Sequence, residues 1–97
     1  MPLPAFIEAL AERDPEFYQA VKAVATTAMA PGALDAKTKT LITLALDAAL
    51  GASEGVAVLA KQARALGASE DEIRETLRLA YFVVGNGVLV TSMAAYR

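Results

Sequence analysis

The chain has no cysteine, no histidine and no tryptophan among its 97 residues. Without Cys there is no disulfide, no thiolate nucleophile and no thiol redox couple. With His missing as well, the imidazole general base and the usual Cys/His zinc sets are excluded, so no metal site and no cofactor is expected. An excess of charge of one sign is missing too. Nine Lys and Arg stand against eleven Asp and Glu, spread without a run, which gives neither a basic stripe for nucleic acid nor an acidic tail.

What the chain does have is apolar residues, 56% of the total, with a mean hydropathy of +0.41. That excludes disorder, since disordered chains are apolar-poor and charge-rich, and the length fits one small domain spanning residues 1–97. A domain of this size buries only roughly two-thirds of the surface its unfolded chain exposes. The surplus is expected to be hidden in a partner.

Met1-Pro2-Leu3-Pro4 offers no basic segment ahead of an apolar run and Glu8 follows soon after, so no signal peptide is expected and a cytoplasmic protein is the default. No charge falls between Arg78 and Arg97, and Leu79 to Val90 is strongly apolar, approaching the ~20 residues of a spanning helix. Gly85-Asn86-Gly87 lies in the middle of this stretch. Read as a helix end or turn, it leaves two pieces too short to span, and the segment is expected to be buried in a soluble protein rather than in a membrane.

The remaining punctuation predicts helices throughout. A short first helix runs from about Pro4 to Glu12, and Asp14-Pro15 supplies an N-cap and a first helical residue for a second one ending at Met29-Ala30-Pro31-Gly32. Asp35 caps a third, with Leu41, Leu44, Ala45, Ala48 and Ala49 on its apolar stripe and Gly51 as its stop. Ser53 is placed to cap a fourth, carrying Val56, Ala57, Leu59, Ala60 and Ala63 as far as Gly67. Ser69-Glu70-Asp71-Glu72 has the form of a capping box and opens a fifth helix, with Ile73, Leu77, Ala80, Tyr81 and Val84 as its buried face. Val88 to Tyr96 then resumes as a sixth. The fold class is therefore all-α, about six helices. Because so many of the inward positions are alanine, the core is thin and gains most by being shared between subunits.

Three pieces of sequence carry a resemblance: Leu34-Asp35-Ala36-Lys37-Thr38-Lys39-Thr40-Leu41-Ile42, then Leu50-Gly51-Ala52-Ser53-Glu54-Gly55-Val56, then Gly67-Ala68-Ser69-Glu70-Asp71-Glu72-Ile73. In order and spacing they resemble the carboxymuconolactone decarboxylase and alkylhydroperoxidase D-like superfamily. The resemblance implies trimers or hexamers. In the redox branch it also implies a Glu on the Lys-rich helix and a Cys-x-x-Cys-x-x-x-His motif, which fall here on Thr40, Ala52, Gly55 and Leu59. All four functional residues are replaced. Thiol peroxidase chemistry needs an attacking thiolate, a resolving thiol and a group that relays the proton, so the ancestral site is read as lost.

The decarboxylase branch does not depend on paired thiols, but its chemistry still calls for a positioned acid or base and a cationic clamp. Glu54 or Asp47 could supply the carboxylate, and Lys39, Lys61 or Arg64 the cation. Plainer readings stand beside these. Glu54 is a first-turn helix charge, and Lys37 and Lys39 are a solvated face. Asp47, alone among apolar neighbours, is a site acid, an intersubunit salt-bridge partner or a rim residue. Asn86 reads as a turn residue, and Tyr81 and Tyr96 as core or interface rings.

The expectation is thus a redox-inactive pseudoenzyme-like homo-oligomer that binds or scaffolds. A small apolar or acidic molecule could occupy the space near Ala52, Gly55 and Leu59, unless that space is simply filled core. The alternative is a lyase built from carboxylate and amine groups, and it requires Glu54, Asp47 and Lys39 to converge on one concave site.

Overall fold

The computed structural model describes residues 3–97. All five α-helices are present among the described residues, with one 3₁₀ turn and no strand, so the chain is all-α. It divides into two compact units at Gly32.

The first unit is a helical hairpin of α1 (Ala5–Arg13) and α2 (Pro15–Met29). Asp14 serves both helices. Its backbone N–H closes α1 on the Leu10 carbonyl, and its side chain accepts from the Phe17 N–H at 3.1 Å to cap α2, with Pro15 in the first turn where its missing donor costs nothing. The first helix begins at Ala5, with Pro4 as its N-cap, and runs to Arg13 rather than Glu12. Tyr18 is the one buried residue of α2, and its hydroxyl donates to Glu8 at 3.2 Å. Burial, reinforced by the Glu8 charge, raises the phenol pKa.

The second unit contains α3 (Ala36–Leu50), α4 (Ser53–Ala65) and α5 (Glu70–Ser92), followed by the 3₁₀ turn Met93–Tyr96. Asp35 caps α3 through the Thr38 N–H at 2.7 Å, which lowers the Asp35 pKa. Both internal stops are Schellman turns. Gly51 (φ 75°) and Gly67 (φ 94°) take the left-handed conformation. The residue after each reaches back five positions, Ala52 N–H to the Asp47 carbonyl and Ala68 N–H to the Ala63 carbonyl, both at 2.9 Å. The second of these turns builds the core. Ala68 folds onto the fully buried Ala63, and Ile73 and the half-buried Leu41 close the cluster.

Three sequence expectations need correction. Ser53 does not cap α4: the tight Gly51-Ala52 turn makes Ala52 the N-cap, with no side-chain hydrogen bond, and Ser53 is already helical. Gly85-Asn86-Gly87 does not end α5, which runs unbroken to Ser92 and leaves only a 3₁₀ turn of the expected sixth helix. A glycine stop works by taking positive φ, and neither Gly85 nor Gly87 does so. Within a helix each costs only about 1 kcal/mol against Ala, which a long helix absorbs. As a result α5 and the turn after it, Glu70–Tyr96, form one helical stretch long and apolar enough to cross a membrane by length and composition.

Finally, the expected buried face of α5 is buried only at Ile73; Leu77 and Val84 are exposed and Tyr81 is 80% exposed. The alanine stripes are similarly shallow, with Ala63 alone fully buried and Ala49 and Ala57 exposed.

The starts of α3 and α5 are tied by charge. Glu72 accepts from the Ser69 N–H through one oxygen, completing the capping box, and from the Lys37 ammonium through the other, both at 2.9 Å. Arg64 grips Glu70 with two donors at 2.6 and 3.1 Å, and Arg74 pairs with Asp71. The Ser69 N–H and then Lys37 hold the Glu72 carboxyl below its ordinary pKa, and Arg64 does the same for Glu70. A carboxylate whose folded pKa is depressed contributes stability above its unfolded pKa of about 4.3, and the contribution is lost as pH falls through the folded value. Glu72→Gln keeps the cap, since Gln also completes a capping box, but removes the ion pair. The variant is expected to melt below the wild type at pH 7 and to converge with it toward pH 3, as read by thermal denaturation across pH.

Candidate functional site

The positions that the resemblance singles out lie where α3 and α4 meet across the Gly51 turn. On α3, Thr40, Leu44 and Asp47 follow one another at four- and three-residue steps and so share a face. Leu44 is fully buried and Thr40 is 1% exposed. The Thr40 hydroxyl donates to the Ala36 carbonyl at 2.8 Å, so the position that would hold the redox-branch Glu is occupied by a hydroxyl already committed to its own helix.

On α4 the corresponding face carries Gly55, Leu59 and Gln62, again at steps of four and three. Gly55 and Leu59 are half-buried and Ala52 is exposed in the turn. The Asp47 carboxylate lies directly against Gly55: a Cβ built on that glycine would collide with Asp47 Oδ2 and stand 3.0 Å from its Cγ. The space that the second thiol of a Cys-x-x-Cys motif would need is therefore filled by a carboxylate from α3. Gly55 is the third residue of α4, and a negative charge there faces the positive end of the helix dipole. In a helix with no side-chain cap of its own, this gives Asp47 a structural task.

The three candidates for a lyase site are placed as follows. Asp47 is half-buried at the α3–α4 crossing, Glu54 is exposed on the first turn of α4, and Lys39 is half-buried two turns upstream of Asp47 on α3. Eight residues separate Lys39 from Asp47, about 12 Å along the helix axis. Two surface depressions of this unit are lined by other residues, all of them apolar or uncharged: one by Ala48, Ala49, Leu77, Ala80, Tyr81 and Val84, the other by Val84, Gly87, Val88, Thr91 and Ser92. Of the other cations considered, Lys37 and Arg64 are engaged with Glu72 and Glu70, and Lys61 is exposed. Asn86 lies within α5 rather than in a turn, and Tyr96 is exposed.

Sequence reasoning missed two residues. Glu72 was read only as a cap, although a lysine opening the neighbouring helix was available to it. Gln62 was not singled out, yet its Oε1 is buried with no hydrogen-bond partner among the described residues. Its spacing of seven from Gly55 and three from Leu59 was the available signal.

The chain belongs to the carboxymuconolactone decarboxylase family, whose model matches residues 15–97, from the first residue of α2 to the end of the chain. It is a member without cysteine. No curated protein matches the sequence.

Proposed function

We propose that this chain is a redox-inactive member of its family that acts as an oligomeric binding or scaffold subunit in the cytoplasm, with trimers or hexamers as its states. The reading rests on the content of the four positions a thiol peroxidase would need: a self-bonded Thr40, Ala52, a Gly55 covered by the Asp47 carboxylate, and Leu59. None of these groups can attack a peroxide or relay its proton. The lyase alternative draws no comparable support, because Glu54 is exposed on the first turn of α4 and Lys39 stands eight residues from Asp47, about 12 Å along α3.

Assembly is the second part of the proposal. Among the described residues the buried apolar ones are only Tyr18, Leu44, Ala63, Ala68 and Ile73, while Leu79, Phe82, Val83, Leu89 and Val90 all stay more than 60% exposed. The part of α5 after Arg78 is uncharged on every side, which in a chain this small calls for cover from another molecule. Purified protein is expected to consume no alkyl hydroperoxide above the buffer rate with a dithiol reductant, and to run as a defined oligomer in detergent-free native mass spectrometry. Turnover of the peroxide would overturn the first half, and a monodisperse monomer the second.

A further inference from the structure

Gly85-Asn86-Gly87 is a motif that neither the fold nor the proposed function uses. Its glycines end no helix, because α5 runs through all three residues with neither glycine at positive φ. Nor does packing require them. A Cβ at Gly87 would meet nothing within 4 Å, and one at Gly85 would make only an ordinary contact of 3.8 Å with the Tyr81 ring. Asn86 is exposed and is the only asparagine in the chain.

What the motif carries is chemistry. The asparagine amide is labile, because the backbone nitrogen of the next residue can reach its Cγ and close a five-membered ring. Glycine in that next place is the most permissive residue, since it has no Cβ to hinder the approach and the widest backbone freedom. An α-helix opposes the closure. It commits the Gly87 N–H to the Val83 carbonyl four residues back and holds the Asn86 backbone away from ring geometry. The sequence therefore supplies a reactive pair and the fold a latch.

The latch is weak at this point. Two glycines flank Asn86, each lowering helix propensity. The groove that α3 shares with α5 ends at Val84, and the depression beyond it is lined by α5 alone. Every residue from Asn86 to Thr91 is exposed. A short helix end held mainly by its own hydrogen bonds lies at the low-stability end of a structure, where local opening is frequent.

We propose that Asn86 is a site of self-modification in the native chain, where the Gly87 nitrogen displaces the side-chain amide during transient openings of α5. The nitrogen bonds to Asn86 Cγ and passes its proton to the departing amide; the Cγ–Nδ2 bond breaks and ammonia leaves. Water then opens the cyclic imide at either carbonyl. Attack at Cγ restores the ordinary backbone with aspartate at 86, and attack at the backbone carbonyl routes the chain through Cγ as isoaspartate. Either product places the first charge between Arg78 and Arg97. Isoaspartate also adds a backbone atom, which breaks the hydrogen-bond ladder and ends α5 near Gly85. Ring closure uses no group from another molecule, so the site stands apart from the assembly reading.

The test incubates the purified full-length chain at neutral pH, native and in guanidinium chloride, and follows ammonia release and the aspartate and isoaspartate forms of the peptide by chromatography and mass spectrometry. The native chain is expected to convert measurably, on the order of 10- to 100-fold more slowly than the unfolded one. Gly85→Ala leaves the Asn-Gly pair intact and tightens only the helix. It is expected to leave the unfolded rate unchanged and to slow the native rate about fivefold, as helix propensity sets. Gly87→Ala is expected to slow both rates, and Asn86→Gln to abolish the conversion in both states. The isolated isoaspartate form is expected to lose helical circular dichroism that Asn86→Asp retains.

Three results would each overturn the proposal. Equal native and unfolded rates would remove the helix as latch. A native chain still unmodified after the unfolded chain has converted through many half-times would remove the site from the folded protein. A native Gly85→Ala chain that converts as fast as the wild type would show that ring closure does not pass through opening of α5.

Discussion

Leu44→Ala is expected to destabilise the chain by about 3 to 4 kcal/mol, within the range for a fully buried leucine, while Leu46→Ala on the same helix costs less than about 0.5 kcal/mol. Leu44 is 0% exposed and is, with Thr40, one of the two largest fully buried side chains, whereas Leu46 is 59% exposed. Among the described residues Leu44 is the largest apolar side chain with no exposure at all, so its truncation removes wholly buried volume, which places its cost above the low end of the range. A domain of this size is held by only about 5 to 15 kcal/mol, so the substitution removes roughly a fifth to four-fifths of its stability. Urea denaturation of both variants at matched protein concentration measures the difference. Equal costs at the two positions would mean that Leu46 is as buried as Leu44 in the species being unfolded, and hence that the assembly covers the outer face of α3 as well as the α5 face.

The contrast between these leucines also marks how far the sequence could be read. Elements whose ends are fixed by local chemistry were legible: Asp14 and Asp35 as caps, Ser69 with Glu72 as a capping box, Gly51 and Gly67 as stops. Each depends on hydrogen bonds closed within a few residues. Gly85-Asn86-Gly87 carries the same residue types, but a stop also needs the following residues to fold back onto the helix. Ala68 does so onto Ala63; Val88 has no such intrachain seat and remains exposed.

Burial was read less well than helicity, for a related reason. Periodicity identifies the apolar side of a helix without saying whether its own chain covers it. Tyr81 and Val84 fit the periodic stripe of α5 as well as Ile73 does, yet only Ile73 is buried. At the candidate site, the resemblance and residue identity together give Thr40, Ala52, Gly55 and Leu59 in place of the redox-branch groups, while the placing of the Asp47 carboxylate against Gly55 could not be read. That required knowing that the Gly51 turn lays the last turn of α3 over the first turn of α4, bringing together two residues eight apart.

That contact supports the second large expectation. Replacing an ordinary helical glycine by alanine gains roughly 1 kcal/mol. At Gly55 the new methyl would occupy the place of Asp47 Oδ2, although Asp47 Cβ, at 3.7 Å, is at an ordinary distance. The backbone can therefore stay where it is, and the carboxylate must swing away. That movement forfeits its favourable position at the start of α4, worth about 0.3 to 1 kcal/mol, and forces a rotamer change of order 0.5 to 1.5 kcal/mol. Gly55→Ala is accordingly expected to be neutral or destabilising by up to about 1.5 kcal/mol in the wild type. In an Asp47→Ala background the same substitution should stabilise by about 1 kcal/mol. The sign inversion, a coupling of about 1 to 2.5 kcal/mol in a double-mutant cycle, is the quantity to measure. Additive effects in the cycle would show that Asp47 does not guard Gly55. A full inversion would mean that any side chain at position 55, a thiol included, displaces the Asp47 carboxylate from the start of α4, so that a glycine at 55 and a carboxylate at 47 are coupled choices in this chain.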